Sequence, residues 1–358
     1  MGDILTALNM IFVPLNLVGL FAGVLVGIAF GCMPGLSVNM GLALLFPLAF
    51  TFHGIGGILM LLGIYCGAIY GGSISAILLK TPGTPASVAT TLDGYPMATK
   101  LGQPGRALGL STMASCFGGV FSTICLILLA PQLAKVALQF SKPEYFALAI
   151  FGLSIITSVS SGSVIKGIMG GLLGLFLATV GIDDMSGTIR FTLDTTYLLG
   201  GVSFIPVLIG VFAFAQVLSS IEEYYHNERS EQHMQLDRLL PSFDDIKRVF
   251  ATLVRSSCIG TFIGCVPGTG GDIASFVSYD QAKRWSKHSK NFGNGEPEGI
   301  VASEAGNNAV SGGAFIPVLT LGIPGDGATA IMMGALMVQG LQPGPLLFVE
   351  KAPDVYAI

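Results

Sequence analysis

The sequence predicts an all-α polytopic membrane protein made of two structural repeats, each with broken, re-entrant helices at Pro-Gly tips, the second repeat being truncated. Three observations carry this expectation. Of 358 residues, 52% are hydrophobic and only 11% charged, and 49 are glycine; with a mean hydropathy of +0.74 the chain is too apolar for an ordinary soluble domain. Gly31-Cys32-Met33-Pro34-Gly35 returns far downstream as Gly264-Cys265-Val266-Pro267-Gly268. A second pair keeps the same order: Gly71-Gly72 leads through an apolar run to Thr81-Pro82-Gly83-Thr84, and Gly312-Gly313 leads likewise to Ile323-Pro324-Gly325-Asp326. The offset is 233 residues from Pro34 to Pro267 and 242 from Pro82 to Pro324, so one intervening segment grows by nine. Helices broken at corresponding places in two halves point to the binding site of a secondary transporter.

A helix needs about 17 to 25 mostly apolar residues to cross a bilayer. Such runs lie near 12–32, 55–80, 107–130, 144–160, 163–181, 196–218, 246–265 and 300–322, with shorter pieces at 38–52, 272–286 and 328–340. The shorter pieces follow Pro-Gly breaks, which suits half-helices whose interrupted backbone is satisfied by protein or a wet cavity. The hydrophilic stretch 219–245 reads as a cytoplasmic linker between a first transmembrane repeat, 1–218, and a second, incomplete one, 246–358. After Pro324 only 34 residues remain, so either the chain is a fragment or its second repeat needs help. The N-terminus has no basic leader, no small-residue cleavage site closes the first apolar run, and that run is expected to stay. Gly2 is not a convincing myristoylation site.

Lys100, Arg106, Lys166, Arg229, Arg238, Lys247 and Arg248 fall on alternate loops, which are expected to be cytoplasmic. The opposite loops hold only Lys135, Lys142 and Arg190, and the loop with Asp183, Asp184 and Asp194 faces outward. Lys283, Arg284, Lys287 and Lys290 then land inside only if 246–286 is a re-entrant hairpin; by inversion, 12–52 would enter from outside. The net charge of -4 and the lack of a basic block argue against nucleic acid. The six cysteines lie in apolar or glycine-rich runs with no metal spacing or disulfide framework. His53, His226, His233 and His288 have no metal-site neighbours and read as solvated. Trp285 beside Lys283 and Arg284 reads as an interfacial anchor, and Gly167, Gly170, Gly171 and Gly174 as a packing face.

Ionisable residues at membrane depth are functional candidates by default. Asp272 and Asp326 stand just past the two downstream tips, where the free amides of a starting half-helix stabilise a carboxylate; helix capping accounts for each equally well. Glu304, Asn307 and Asn308 crowd one flank of the helix leading into the last tip, with Thr329 beyond it, or serve only as interhelical hydrogen bonds. These six are the expected coupling-ion residues. The first half differs in sign. Ser37, Asn39, Thr81, Thr84 and Ser87 surround its tips, with Lys80 the nearest charge and no acid until Asp93. Neutral hydroxyls and the amides after Gly35 and Gly83 suit an anion, and Gly268, Thr269 and Gly325 complete the expected substrate shell. Taken singly, each serine or threonine is better read as a small residue that lets helices approach.

The run from Tyr70-Gly71-Gly72-Ser73 through Leu79-Lys80-Thr81-Pro82-Gly83-Thr84-Pro85-Ala86-Ser87 to Asp93-Gly94-Tyr95-Pro96 and Gly105-Arg106-Ala107 resembles the large integral-membrane subunit of the tripartite tricarboxylate transporters, the TctA family. Gly264-Cys265-Val266-Pro267-Gly268-Thr269-Gly270-Gly271 and Leu321-Gly322-Ile323-Pro324-Gly325 are similar to it too. The resemblance covers nearly the whole chain. It implies a multi-pass subunit of the bacterial inner membrane, partnered by a smaller membrane subunit and a periplasmic binding protein. Citrate or another carboxylate is its implied cargo, an ion, usually sodium, its implied driving force, and no cofactor or catalysis is expected. Family members generally continue beyond where this chain stops. An intramembrane aspartyl protease using Asp272 and Asp326 stays open as an alternative, as does a non-transporting fragment or scaffold. Neither aspartate stands in a Gly-x-Gly-Asp context, and a protease would leave the paired motifs unexplained.

Overall fold

A computed structural model describes residues 2–49, 51–52, 54–144, 146–147, 150–151, 163–183, 187–202, 206–207, 210–211, 218 and 237–358. The greater part of the expected span 144–160, about half of 196–218, linker residues 219–236, His53, Asp184, His226 and His233 lie outside these. The helices are α1 (Gly2–Ile11), α2 (Pro14–Cys32), α3 (Val38–Ala49), α4 (Gly56–Leu79), α5 (Val88–Thr99), α6 (Pro104–Ala137), α7 (Val164–Ala178), α8 (Phe243–Cys265), α9 (Gly270–Trp285), α10 (Pro297–Leu321), α11 (Gly327–Val338), α12 (Leu347–Glu350) and α13 (Ala352–Ala357). Between α7 and α8 a short antiparallel ribbon pairs Gly181 with Arg190, closed by a 3.0 Å Arg190–Asp183 ion pair. The start of the expected 196–218 span is a 3-10 turn, Thr196–Leu198, followed by irregular chain through residue 202.

Among the described residues three helices, Pro14–Cys32, Gly56–Leu79 and Pro104–Ala137, are long and apolar enough to cross a membrane. Helix α10 is as long but more polar, and it is buried from Pro297 to Thr320. It is the axis of the bundle: α6, α8 and α9 pack along it. Because neighbours surround it, its glycines, serines, Glu304 and asparagines face protein rather than lipid.

Glycine spacing sets how closely the helices approach. In α2, Gly19, Gly23, Gly27 and Gly31 recur every four residues and are all buried. A Cβ at Gly23, Gly27 or Gly31 would collide with the carbonyls of Met60, Ile64 and Ala68 on α4, and one at Gly63, Gly67 or Gly71 with those of Leu20, Val24 and Ile28 on α2. The second half repeats the device, with Gly260 against the Gly306 carbonyl and Gly313 against that of Thr261. Small residues at such spacing let backbones meet where lipid offers no hydrophobic drive for association. On α7, by contrast, a Cβ at Gly170 or Gly174 meets nothing within 4 Å among the described residues.

The breaks make hairpins that hang from opposite ends of the bundle. Helices α2 and α3 leave from and return to one end, where Gly19 faces the Phe52 ring and the Asn16 carboxamide touches Gly56. That end is closed by an apolar cluster of Ala7, Phe46, Ile58, Leu336 and Val355. Helices α8 and α9 leave from and return to the other end. There Arg248 in the second turn of α8 pairs with Glu296 at 2.5 Å. Asp93 accepts the N–H groups of Gly293, Gly295 and Glu296 at 2.9, 2.9 and 2.7 Å and the Tyr279 hydroxyl at 2.8 Å. Lys100 reaches Asn294 there at 3.4 Å. The basic residues 283–290 therefore share an end with Lys100, Arg106 and Arg248. Trp285 is exposed at that end, with the Arg255 guanidinium 5.1 Å over its ring, and His288 is exposed too. Helix α5 matches no expected segment, because Thr90, Thr91, Asp93, Tyr95 and Pro96 mask it as a polar loop.

Ser242 and Asp245 form a reciprocal capping box at the start of α8, and Asp245 also pairs with Arg106 of α6. Burial opposes ionisation of Asp245, but the Arg106 and Ser242 hydrogen bonds outweigh it and hold the carboxyl below its ordinary value. A depressed carboxyl stabilises the fold above its unfolded pKa, near 3.9, and that contribution disappears as pH falls through the folded value. Limited proteolysis of the connection before α8 should therefore accelerate on acidification below about pH 4, and Asp245→Asn should remove this dependence; an unchanged profile would rule the clamp out.

Candidate functional site

The four Pro-Gly breaks have paired backbone geometry. Helix α2 ends at Met33 with φ -88°, ψ 114° and α8 at Val266 with φ -87°, ψ 110°. Two residues on, Gly35 and Gly268 take φ of 88° and 83°, a left-handed turn that glycine adopts without steric cost. Helices α4 and α10 both end in the left-handed region, at Lys80 with φ 57° and Gly322 with φ 68°. The Gly268 amide donates to the Gly325 carbonyl at 2.7 Å, tying the two downstream breaks together.

All four breaks open onto one cavity of about 460 Å³. Ser37, Val38 and Asn39 line it from the first break and Thr84, Pro85 and Ala86 from the second; residues 268–273 line it from the third and Asp326, Gly327 and Ala328 from the fourth. Tyr65 and Ile69 of α4 and Asn307 and Val310 of α10 complete the wall. Each break starts a new helical segment, so the amino ends of α3, α9, α11 and the short 3-10 turn Pro85–Ser87 meet around this space. Their unpaired N–H groups and dipoles favour an anion. Asp272 and Asp326 supply negative charge on one side, and the described lining contains no lysine or arginine. The arrangement suits an anion held next to one or more cations.

The sequence offsets also match lining residues in pairs. At 233 residues Asn39 corresponds to Asp272; at 242, Thr84 corresponds to Asp326 and Tyr65 to Asn307. Thr84 and Asp326 are both N-caps in capping boxes, completed by Ser87 and Thr329, which also stand 242 apart. Asp326 Oδ1 accepts the Thr329 amide and hydroxyl, each at 2.7 Å, and Oδ2 accepts the Tyr65 hydroxyl at 3.1 Å. Capping and a place on the cavity wall thus coexist in one carboxylate.

Of the residues singled out in the sequence, Ser37, Asn39, Thr84, Gly268, Thr269, Asp272, Asn307 and Asp326 line the cavity. Ser37 caps α3 through the Met40 amide at 3.1 Å, and Thr269 donates to the carbonyls of Ile263 and Val266 at 2.5 and 2.7 Å. Gly35, Thr81, Gly83, Ser87, Gly325 and Thr329 are not among its described lining. Thr81 is exposed and bonds to the Leu79 carbonyl at 3.2 Å; Gly83 lies against the Gly31 carbonyl, where its lack of a side chain is needed. Glu304 and Asn308 part from Asn307. Glu304 is 0% exposed and accepts from Thr90, from Ser115 at 3.0 Å and from Asn308 at 3.4 Å, toward α5 and α6. Each residue turns a helix by about 100°, so Asn308 points away from the cavity that Asn307 faces. Tyr65 was missed, since Gly63-Ile64-Tyr65-Cys66-Gly67 reads as an ordinary apolar stretch. Its 242-residue correspondence with Asn307 is the signal that singles it out.

Interrupted helices converging on a polar, charged cavity inside a helical membrane bundle point to a transport protein. The chain belongs to the tripartite tricarboxylate transporter TctA family, which it matches over residues 17–358. TctA proteins are transport subunits and not enzymes, which removes the protease reading, and membership implies ion-coupled transport within a system of several subunits. The chain is 40% identical over 349 residues to an uncharacterized 52.8 kDa protein of the TAR-I ttuC' 3' region of Agrobacterium vitis, covering 96% of this chain and 69% of that one. An uncharacterized protein of the TAR-II ttuC' 3' region of the same organism is 45% identical over 86 residues, 24% of this chain and 36% of the relative. No solved structure matches the chain.

Proposed function

We propose that this chain is the large membrane subunit of a binding-protein-dependent uptake system that carries small carboxylates, such as tricarboxylates, across the bacterial inner membrane on a sodium gradient. The observation that carries the reading is the meeting of four helix amino ends and two aspartates around one cavity. The substrate carboxylates lie against the amides and side chains of Ser37, Asn39 and Thr84, and sodium lies on the side of Asp272 and Asp326, near the chain at Gly268 and Thr269. The aspartates are the acidic counterparts of Asn39 and Thr84, so one arrangement, used twice, gives a neutral half-site and an acidic one.

The same pairing supports two inverted repeats, residues 1–218 and 246–358, joined by a cytoplasmic linker at 219–245. Hairpins α2–α3 and α8–α9 are re-entrant from opposite faces. Glu304 and Asn308 hold α10 to α5 and α6 rather than touching cargo. A smaller membrane subunit and a periplasmic binding protein complete the system.

Proteoliposomes holding this chain and its genomic partners should accumulate radiolabelled citrate or another member of a di- and tricarboxylate panel when an inward sodium gradient is imposed. Accumulation driven only by a proton gradient would remove sodium, and no accumulation of any carboxylate would remove the proposal.

A further inference from the structure

Among the side chains on the cavity wall, Asn307 is set apart. It is 1% exposed, and neither its Nδ2 nor its Oδ1 has a hydrogen-bond partner. Buried polar groups are nearly always paired, and an exception calls for a ligand or water to complete it. Asn308, the next residue, shows what a settled asparagine looks like in this helix: its Nδ2 reaches Ser115 and the Glu304 carbonyl at 2.9 and 3.0 Å. Tyr65, the counterpart of Asn307 in the first half, is settled too, with its hydroxyl on Asp326. Space for the free carboxamide is kept by Gly271 in the first turn of α9, where a Cβ would come within 2.5 Å of Asn307 Oδ1. The next residue is Asp272, which lines the same cavity.

A carboxamide is the one uncharged side chain that offers paired N–H donors and a carbonyl acceptor from a single rigid plane. The donors match a carboxylate; the carbonyl oxygen matches a hard cation. We propose that Asn307 is the residue shared by substrate and coupling cation, its Nδ2 donating to a substrate carboxylate and its Oδ1 ligating the cation held at Asp272, so that each ligand completes the site of the other. This rests on the carboxylate-and-sodium reading of the cavity and assigns its coupling to one side chain. Occupancy by either ligand fixes the carboxamide plane, which is then preorganised for the second. Ordered this way, the coupling is reciprocal: sodium must tighten citrate by the same factor as citrate tightens sodium.

The test is equilibrium binding of radiolabelled citrate to the purified full chain in lipid nanodiscs, at zero and saturating sodium, and of sodium with and without citrate. In the unsubstituted chain, sodium should tighten citrate by about 5- to 150-fold, the usual span of such couplings. Asn307→Ala should bring that ratio to about one in both directions, while each ligand measured alone weakens by no more than about tenfold, the loss of a single hydrogen bond or ligand. Asn307→Asp should keep sodium binding and lose citrate, because it retains the oxygen and repels the anion. Should Asn307→Ala not fold, Asn307→Ser takes its place with the same expectation. A substituted chain that keeps the full coupling ratio would overturn the assignment of Asn307 and leave the cavity's function standing. An unsubstituted chain that binds citrate with no sodium dependence would overturn the sodium-coupled reading and this inference together.

Discussion

Replacing Asp326 by asparagine should abolish sodium-dependent uptake, by about a hundredfold or more, without unfolding the protein. The two consequences separate because Asp326 has two roles. As the N-cap of α11 its Oδ1 accepts the Thr329 amide, and asparagine caps a helix about as well as aspartate. As one of two carboxylates on the cavity wall, it supplies charge that asparagine lacks. Losing one partner of a buried charge interaction costs about 2 to 5 kcal/mol, and about 3 kcal/mol corresponds to about two orders of magnitude in affinity. Asp326→Ala should lose transport equally and, with the cap gone, about 1 kcal/mol of stability as well. Asp272→Asn should match the transport loss without a capping penalty. Uptake assays paired with thermal unfolding of the purified variants separate the roles; wild-type sodium dependence in Asp326→Asn would place the cation elsewhere.

The largest effect on folding is expected at the α2–α4 seam. At Gly27 even one added methyl meets the Ile64 carbonyl, and at Gly23 that of Met60. Carbonyls in a helix cannot rotate aside, so the two helices must separate along their whole contact. Overpacking of this kind costs about 1 to 3 kcal/mol at a single site, and a leucine at Gly27 belongs at or above the upper end. Gly27→Leu should therefore give little folded protein in the membrane. Gly119 provides the control, since a Cβ there meets nothing within 4 Å among the described residues. Gly119→Ala should be neutral or stabilising by up to about 1 kcal/mol, through helix propensity alone. Monodisperse yield and thermal unfolding after detergent extraction measure both. Equal yields of Gly27→Leu and Gly119→Ala would mean that α2 and α4 do not pack as described.

The long helices were legible because their signal is redundant. The expected runs 12–32, 55–80 and 246–265 became Pro14–Cys32, Gly56–Leu79 and Phe243–Cys265, each ended by a Pro-Gly break no helix continues through. The shorter runs 38–52, 272–286 and 328–340 likewise became the helices Val38–Ala49, Gly270–Trp285 and Gly327–Val338. Helix α5 was not, since its buried face is held by polar contacts: Asp93 accepts three backbone amides, and hydropathy counts such a residue as exposed. Within the breaks, sequence told which few residues matter but not which way each one turns. Thr81 and Thr84 look alike as hydroxyls beside Pro82-Gly83, yet the left-handed Lys80 and the turn after it send Thr81 outward and Thr84 onto the cavity wall. Asn307 and Asn308 are adjacent in sequence and face different helices. The matching of Thr84 with Asp326 and of Asn39 with Asp272 was present in the offsets, but only the geometry of the breaks shows that the four converge.

If the four breaks form one binding cavity, ligand should protect cysteines placed one at each break, and this is the most direct measurement. In a background lacking the six native cysteines, Asn39→Cys, Ala86→Cys, Ile273→Cys and Ala328→Cys put a thiol on the wall from the first, second, third and fourth break in turn. Alkylation by a small membrane-permeant maleimide is followed with and without saturating citrate and sodium. Alkylation should be slower at all four positions when both ligands are present. Protection at the breaks of one half only, with the other two indifferent to ligand, would contradict it.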